Sequence, residues 1–160
     1  PFKDNRGIFT NIFRASDPNF SDIWKGEPIK QVNISETKLV GTIRGLHMQK
    51  HPHTESKLIS CLEGEVWDVA VDLRRDSVTY GQWISCKLSD KVNNAIYIPK
   101  GCAHGFQVLK PNTKLLYLHS GNWNKDSEIG LRWNDIKLNI KWPLKVTEVS
   151  ARDQNLPFLK

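Results

Sequence analysis

The chain is 160 residues long, 39% hydrophobic and 25% charged, which fits one packed domain and excludes a disordered segment. Its net charge of +6 is spread along the chain, and the longest basic run is Arg74-Arg75, so we expect no nucleic-acid-binding stripe. No segment approaches the ~18 apolar residues of a membrane span, and the first residues show no signal-peptide pattern, so we expect no contact with a membrane.

An alternation of apolar and polar residues with a period of two dominates the chain and predicts a mostly β structure with little helix. A short helix is expected over 17–25, where Gly26 and Pro28 stop it, and a helical turn is expected after Ser150. The run 65–73 alternates acids with apolar residues, which is typical of a half-buried strand. Strands are predicted at 29–35, 39–49, 57–62, 65–73, 82–88, 94–98, 105–109 and 114–119.

The many short strands and tight turns predict an all-β sandwich or jelly-roll barrel in one domain spanning 1–160. Cys61, Cys86 and Cys102 lack paired spacing and lie among apolar strand residues, which favours buried structural thiols and a reducing cytoplasm. Pro1 is not a natural translation start, so one N-terminal strand is expected to be missing from this sequence.

The run Arg44-Gly45-Leu46-His47 carries two side chains that are suited to catalysis. In a regular strand Arg44 and His47 point to opposite faces. Because a glycine inside a strand often marks a bulge, Gly45 could turn both side chains into one cavity. An imidazole can remove a carbon-bound proton near neutral pH, and a cation can hold the enolate oxygen that results.

The segment 98–106 contains Pro-x-Gly-x-x-His, which ends at His104 and is similar to the second sequence motif of cupins. Imidazoles and a carboxylate, which suit Zn or Fe, also occur at His51, His53 and Glu55, so a metal site is an alternative interpretation. The cupin metal pattern has a longer gap between its second histidine and its glutamate than His53-Thr54-Glu55 offers, so no metal is expected.

The combined pattern is more specific than any single motif. It resembles the dTDP-4-dehydrorhamnose 3,5-epimerase family over essentially the whole chain. The segments that carry the resemblance are Asp4-x-Arg6-Gly7-x-Phe9, Gln31-x-Asn33, Arg44-Gly-Leu-His47, Lys57-Leu-Ile, Val69-Ala-Val-Asp-Leu-Arg74, Tyr80-Gly-Gln-Trp83, Ile98-Pro-x-Gly-x-Ala-His-Gly-Phe106, Tyr117, Glu128, Trp142-Pro143 and Ser150-x-x-Asp153.

The resemblance implies a cupin-type double-stranded β-helix that forms a homodimer, needs no cofactor and acts on a nucleotide-linked 4-keto-6-deoxyhexose. It makes His47 the base, Asp153 the carboxylate that orients the imidazole, and Tyr117 the acid that returns a proton from the other face. Lys57 and His104 match positions that stabilise the enolate oxygen.

The resemblance also implies contacts to the nucleotide and the sugar. Arg6 and Arg44 match cationic contacts to the diphosphate, a task that suits a guanidinium. The other expected substrate-binding residues are Phe9, Gln31, Asn33, Trp123 and Glu128. Two departures bear on the base: Asn122-Trp123 stands where the family commonly has a Tyr-Tyr pair, and Val32 stands where close relatives have an acid. An indole can still stack on the base, but it lacks the phenol hydroxyl.

Three other functions stay open at this point. The first is a single-centre epimerase, which inverts only C3 or only C5 of a related dTDP-, CDP- or GDP-linked 4-keto sugar with the same base. The second is a metal-dependent cupin enzyme with ligands among His47, His51, His53, Glu55 and His104. The third is a non-catalytic sugar-nucleotide-binding module, which would not need both an acid and a base.

Overall fold

A computed structural model describes residues 2–160, so Pro1 lies outside the described part. The helices in this part are α1 (Pro18–Trp24), α2 (Ala151–Gln154) and a 3-10 turn at Lys125–Ser127. The strands are β1 (Phe2–Asp4), β2 (Gly7–Phe9), β3 (Gln31–Thr37), β4 (Ile43–Gln49), β5 (Lys57–Glu63), β6 (Glu65–Asp72), β7 (Trp83–Ser89), β8 (Ala95–Ile98), β9 (Cys102–Val108), β10 (Thr113–His119) and β11 (Glu128–Gly130).

Nine of these strands form two antiparallel sheets that pack face to face. One sheet has the order β3-β10-β5-β8, and the other has the order β11-β4-β9-β6-β7. From β3 to β11, chain neighbours alternate between the sheets except for the β6-β7 hairpin, as in a jelly roll. The predicted all-β barrel with little helix is confirmed. The short hairpin β1-β2 stands outside both sheets. No helix in the span 2–160 is long and apolar enough to cross a membrane.

The core lies on both faces of the five-stranded sheet. Between the two sheets, residues such as Ile59, Leu88 and Leu115 form one apolar cluster. On the outer face, Val69 and Val71 of β6 pack with residues of the C-terminal segment such as Leu131 and Leu138. The prediction that 65–73 is half-buried is therefore wrong. The face with Asp68 and Ala70, which the alternation leaves to solvent, points between the two sheets, and an irregular C-terminal segment covers the face with Val69 and Val71.

A bulge in β4 shapes the functional end of the barrel. The pairing of β4 with β9 shifts register between Arg44 and His47. Gly45 has a φ of +117°, and a Cβ atom on it would lie 2.5 Å from the Cα of Gly105 on β9. Only glycine fits this close approach. The bulge predicted from Gly45 is confirmed.

The outer face of the four-stranded sheet is covered by α1. Trp24 of α1 is buried with Leu58 of β5 and Leu118 of β10. The predicted helix thus appears at the expected place, with its last residue before Lys25 and Gly26. With this face covered, the inner face of the same sheet is free to line a cavity.

Candidate active site

A cavity of about 1230 Å³ opens between the two sheets at the end where the β4 bulge lies. Side chains from β3, β5 and β10 line one wall, and side chains from β4, β9 and α2 line the other. Ten of the twelve candidate residues line the cavity or contact a residue that does. They are Gln31, Asn33, Arg44, His47, Lys57, His104, Tyr117, Trp123, Glu128 and Asp153.

His47 and Asp153 form a hydrogen-bonded couple on the β4 wall. The Nε2 atom of His47 lies 2.7 Å from Oδ1 of Asp153. The other carboxylate oxygen accepts the backbone N–H of Gly45 at 3.1 Å, so the β4 bulge also fixes the acid. Ser150 caps α2 by accepting the backbone N–H of Asp153 at 3.1 Å. The helical turn predicted after Ser150 therefore exists, and it aims this carboxylate at the imidazole.

Asp153 is held as a carboxylate despite its burial. Burial alone would raise its pKa, but the hydrogen bonds from His47, Gly45 and Arg152 lower the pKa to about 2. Asp153 therefore presents a negative charge to the imidazole of His47.

Arg152 links this couple to Glu128. Its Nε atom lies 3.2 Å from Oδ1 of Asp153, and its Nη2 atom lies 2.8 Å from Nε2 of His47. Its Nη1 atom donates to Oε2 of Glu128 at 3.0 Å. Glu128 is therefore linked to His47 through Arg152, a residue that the sequence interpretation does not single out.

Tyr117 projects from β10 on the opposite wall. Its hydroxyl has one contact of 3.4 Å with the Oγ atom of Ser35. Its ring lies between two imidazoles, with His119 stacked at a centroid distance of 5.9 Å and His104 edge-on at 6.1 Å. Burial raises the pKa of Tyr117, so the phenol keeps its proton at neutral pH.

Lys57 lies on β5 opposite His119 of β10, and its side chain is buried. Its Nζ atom is 3.4 Å from Oε1 of Glu55. Burial opposes the ionisation of Glu55, but the hydrogen bond from His119 and the charge of Lys57 lower its pKa. Glu55 is thus an anion that holds a lysine and a histidine in the same wall, although the sequence suggested it only as a metal ligand.

His104 is buried on β9 and paired with an acid inside the barrel. Its Nε2 atom lies 2.8 Å from Oδ2 of Asp68, which is completely buried. Burial raises the pKa of Asp68, and His104 counteracts that rise. Asp68 is one of the acids that the alternation of 65–73 predicts to face solvent. In the structure its side chain points into the barrel instead.

The remaining polar candidates lie towards the mouth of the cavity. Arg44 is exposed, and its Nε atom donates to the Oγ1 atom of Thr37 at 3.0 Å. Trp123 is 54% exposed, and its backbone N–H donates to Oε1 of Gln31 at 2.8 Å. Gln31 in turn donates to Oδ1 of Asn33 at 3.2 Å. An exposed guanidinium and an exposed indole at one mouth can bind an anion and a flat ring.

The structure does not bring Arg6 and Phe9 to this cavity. Both lie on the β1-β2 hairpin, both are exposed, and Arg6 pairs with Asp4 of the same hairpin at 2.6 Å. The hairpin pairs only with itself among the described strands. Within one copy of the chain, these two residues cannot contact a ligand that lies between the sheets.

The structure gives the metal-site interpretation no support. Residues 2–160 contain no group of three or more His, Cys, Asp and Glu side chains that could hold a metal ion. His51 and His53 are exposed in a turn and do not line the cavity, whereas His104 and Glu55 are engaged with Asp68 and His119.

Sequence reasoning missed Glu55, Asp68, His119 and Arg152 as members of this cavity. Tyr117-x-His119 has the spacing that puts both side chains on one face of a strand, so His119 could have been found from period two. The other three residues are identified only by hydrogen bonds to partners that are distant in the chain. Glu55, for example, bonds to His119, which lies 64 positions later.

Comparisons with known proteins agree with this geometry. The family model described as dTDP-4-dehydrorhamnose 3,5-epimerase matches residues 1–160. A dTDP-4-dehydrorhamnose 3,5-epimerase of Sinorhizobium fredii is 38% identical over 161 residues, covering 99% of this chain and 80% of the relative.

Two solved structures superpose on nearly the whole chain. The dTDP-4-dehydrorhamnose 3,5-epimerase of Bacillus anthracis, solved with TDP and PPi bound, has a TM-score of 0.94 and 39% identity, covering 99% of this chain and 89% of that one. ChmJ, a 3'-monoepimerase of Streptomyces bikiniensis solved in complex with dTDP-quinovose, has a TM-score of 0.89 and 30% identity, covering 97% and 78%. The likeness therefore includes both sheets and the cavity between them.

Proposed function

This chain belongs to the dTDP-4-dehydrorhamnose 3,5-epimerase family, and on that premise we propose that it epimerises C3 and C5 of dTDP-4-dehydro-6-deoxyglucose to give dTDP-4-dehydrorhamnose. The observation that carries the proposal is the arrangement of the cavity, in which the His47–Asp153 couple and Tyr117 come from different sheets. An acid and a base on opposing walls are what an inversion through a planar enolate needs.

In the proposed reaction, His47 removes the proton from a carbon next to the C4 ketone. The electron pair of the broken C–H bond moves into the C–C bond as the ketone oxygen becomes an enolate. Asp153 stabilises the imidazolium that forms. Lys57, with its buried ammonium, and His104 stabilise the negative charge on the enolate oxygen.

Tyr117 then donates its phenolic proton to the opposite face of the same carbon, which inverts that centre. The phenolate recovers a proton, and His47 releases the one it took, before the second carbon next to the ketone reacts. Both C3 and C5 flank the C4 carbonyl, so rotation or a small shift of the sugar can present each to the same base. These steps use only side chains of this chain.

Solvent exchange tests the proposal directly. In deuterated water with dTDP-4-dehydro-6-deoxyglucose, we expect deuterium at both C3 and C5 of the product, read by NMR. His47→Asn is expected to abolish the exchange, because His104 and His119, the other two imidazoles described in the cavity lining, are buried and paired with Asp68 and Glu55. A purified enzyme that exchanges neither carbon, or a His47→Asn variant that keeps full activity, contradicts the proposal.

A single-centre epimerase is the second candidate, and two observations favour keeping it. ChmJ, which its structure describes as a 3'-monoepimerase, shares the fold at 30% identity. In this chain Trp123 stands at the cavity mouth where the family commonly has a tyrosine. Deuterium at C3 alone, with C5 unlabelled after complete reaction, would assign this second function.

The cavity mouth supports the proposed binding of the nucleotide. Arg44 has the charge and the planar fork that suit a diphosphate, and Trp123 offers an exposed indole face on which a base can stack. Asn33 and Gln31 offer amide groups to the sugar, and Glu128 lies beside the base through Arg152. A non-catalytic binding module would bind the nucleotide sugar without exchanging any of its carbon-bound protons.

We also propose that two copies of the chain form a homodimer in the cytoplasm. The hairpin exposes Phe2, Ile8 and Phe9, and β3, an edge strand of its sheet, exposes Val32 and Ile34. An apolar patch of this kind is more often an interface than a free surface. In a dimer, Phe9 and Arg6 could reach the cavity of the second copy. Light scattering on the purified protein should give twice the mass of one chain.

Free thiols at all three cysteines suit a reducing compartment, which is consistent with the proposed cytoplasmic location.

A further inference from the structure

His119 is a buried imidazole in the cavity wall, and the proposed reaction does not use it. Both of its ring nitrogens have partners. Its Nδ1 atom lies 3.1 Å from Oε2 of Glu55, and its Nε2 atom lies 3.3 Å from the amide nitrogen of Asn33. Because an ionised carboxylate only accepts hydrogen bonds, Nδ1 carries the proton, and the lone pair of Nε2 accepts the N–H of Asn33.

The neighbouring groups support this tautomer. The Oδ1 atom of Asn33 accepts a hydrogen bond from Gln31 at 3.2 Å, which turns the amide nitrogen of Asn33 towards His119. The Oε1 atom of Gln31 accepts the backbone N–H of Trp123 at 2.8 Å. A chain of hydrogen bonds in one direction therefore runs from the cavity mouth to Glu55, and it fixes the plane of the His119 ring.

The ring of His119 is the flat surface on which Tyr117 lies. The two rings stack with an angle of 17° between their planes, at a centroid distance of 5.9 Å. The Tyr117 hydroxyl, in contrast, has only the 3.4 Å contact with Ser35, which is too long to hold the phenol firmly. The orientation of the phenol therefore depends on ring packing and not on its own hydrogen bond.

We propose that His119, anchored by Glu55 and Asn33, is a positioning residue that sets Tyr117 for proton return to the second face of the sugar. This rests on the proposed function, since it assigns a task within that reaction. It also explains why a buried histidine–carboxylate pair lies on the wall opposite the His47–Asp153 couple. The first pair supports the group that takes the proton, and the second supports the group that gives one back.

The test separates proton removal from inversion. His119→Asn keeps a donor near the Nδ1 position but removes the stacked ring. In deuterated water, His47 of this variant still removes protons and returns solvent deuterium to the same face, so the substrate becomes labelled without inverting. We expect label incorporation within about twofold of the wild-type rate and inversion about tenfold slower, which is less than the ~10²-fold that a misplacement of about 1 Å can cost.

A second substitution and a double variant complete the experiment. His119→Phe keeps a ring against Tyr117 but loses the hydrogen bonds to Glu55 and Asn33. We therefore expect a smaller fall in the ratio of inversion to labelling than in His119→Asn. If His119→Asn does not fold, His119→Phe is the variant that tests the proposal. In a Tyr117→Phe background, His119→Asn should cause no further loss, because its effect passes through Tyr117. The matched control is Glu63→Gln, an exposed acid on the same strand as Lys57 that pairs with Lys114, and it should leave the ratio unchanged.

The outcomes are distinct. Equal falls of labelling and inversion, wild-type inversion in both His119 variants, or an additional loss in the Tyr117→Phe background each overturn the positioning role. A wild-type enzyme that inverts no centre and incorporates no label instead overturns the proposed function.

Discussion

Replacing Asp153 with Asn gives the sharpest prediction, because the structure supplies a magnitude. Burial works against the carboxylate, yet hydrogen bonds from His47, Gly45 and Arg152 lower its pKa from 3.8 to about 2. A shift of that size corresponds to about 2.5 kcal/mol in total. Three partners share it, and His47 makes the shortest contact, so we assign about 2 kcal/mol to the imidazolium–carboxylate interaction. That energy stabilises the state in which His47 holds the abstracted proton.

Asp153→Asn keeps the shape of the side chain and removes its charge, so we expect kcat to fall about 30-fold, the rate equivalent of about 2 kcal/mol. KM should change less than about twofold, since Asp153 faces the base and not the nucleotide end of the cavity. Deuterium incorporation at C3 and C5 should fall by the same factor as kcat. The matched control is Asp76→Asn, an exposed acid in a loop outside the cavity. A wild-type kcat in Asp153→Asn, or an equal loss in the control, would refute the reasoning.

Three further outcomes follow from the same geometry. Because the pKa of Asp153 is lowered in the folded state, its contribution to stability is complete above about pH 4 and is lost as the pH falls through about 2. The difference in unfolding free energy between wild type and Asp153→Asn, measured in urea titrations, should therefore shrink over that range. Gly45→Ala should destabilise the fold by more than about 3 kcal/mol, because its Cβ would overlap Gly105, whereas Gly26→Ala, with nothing within 4 Å, should lose about 1 kcal/mol in the same assay. Trp123→Ala should raise KM about tenfold and change kcat less than about twofold, and a fall in kcat alone would contradict a stacking role.

Much of the fold could be predicted because period two is a local signal. The expected strands from 29–35 to 114–119 all appear, with ends that differ by a few residues, and Gly45 correctly indicated the bulge in β4. The strands β1, β2 and β11 were missed because three residues are too few to show alternation. The exposure of one face of 65–73 was predicted wrongly because Asp68 and Ala70 point between the two sheets, a burial that depends on strands distant in the chain.

The groups proposed to react were easier to identify in the sequence than the side chains that contact them. His47, Tyr117 and Asp153 stand in motifs that resemble a family, so their types and spacing could be read along the chain. Arg152 and Glu55 lack such a motif, and each is defined by a partner that only folding brings near, such as His47 at 105 residues from Arg152. A hydrogen bond across that distance leaves no periodic trace in the sequence.

Each histidine that lines the cavity is paired with a buried acid, and this pairing bears on how the site works. For His119, the ionised Glu55 only accepts hydrogen bonds, so Nδ1 carries the proton and Nε2 keeps its lone pair before any substrate arrives. Fixed tautomers remove a reorganisation that would otherwise add to the barrier for each proton transfer. In the proposed reaction, one pair supports the base, and the imidazoles of the other two pairs both contact the ring of Tyr117. The pairs are His47–Asp153, His104–Asp68 and His119–Glu55.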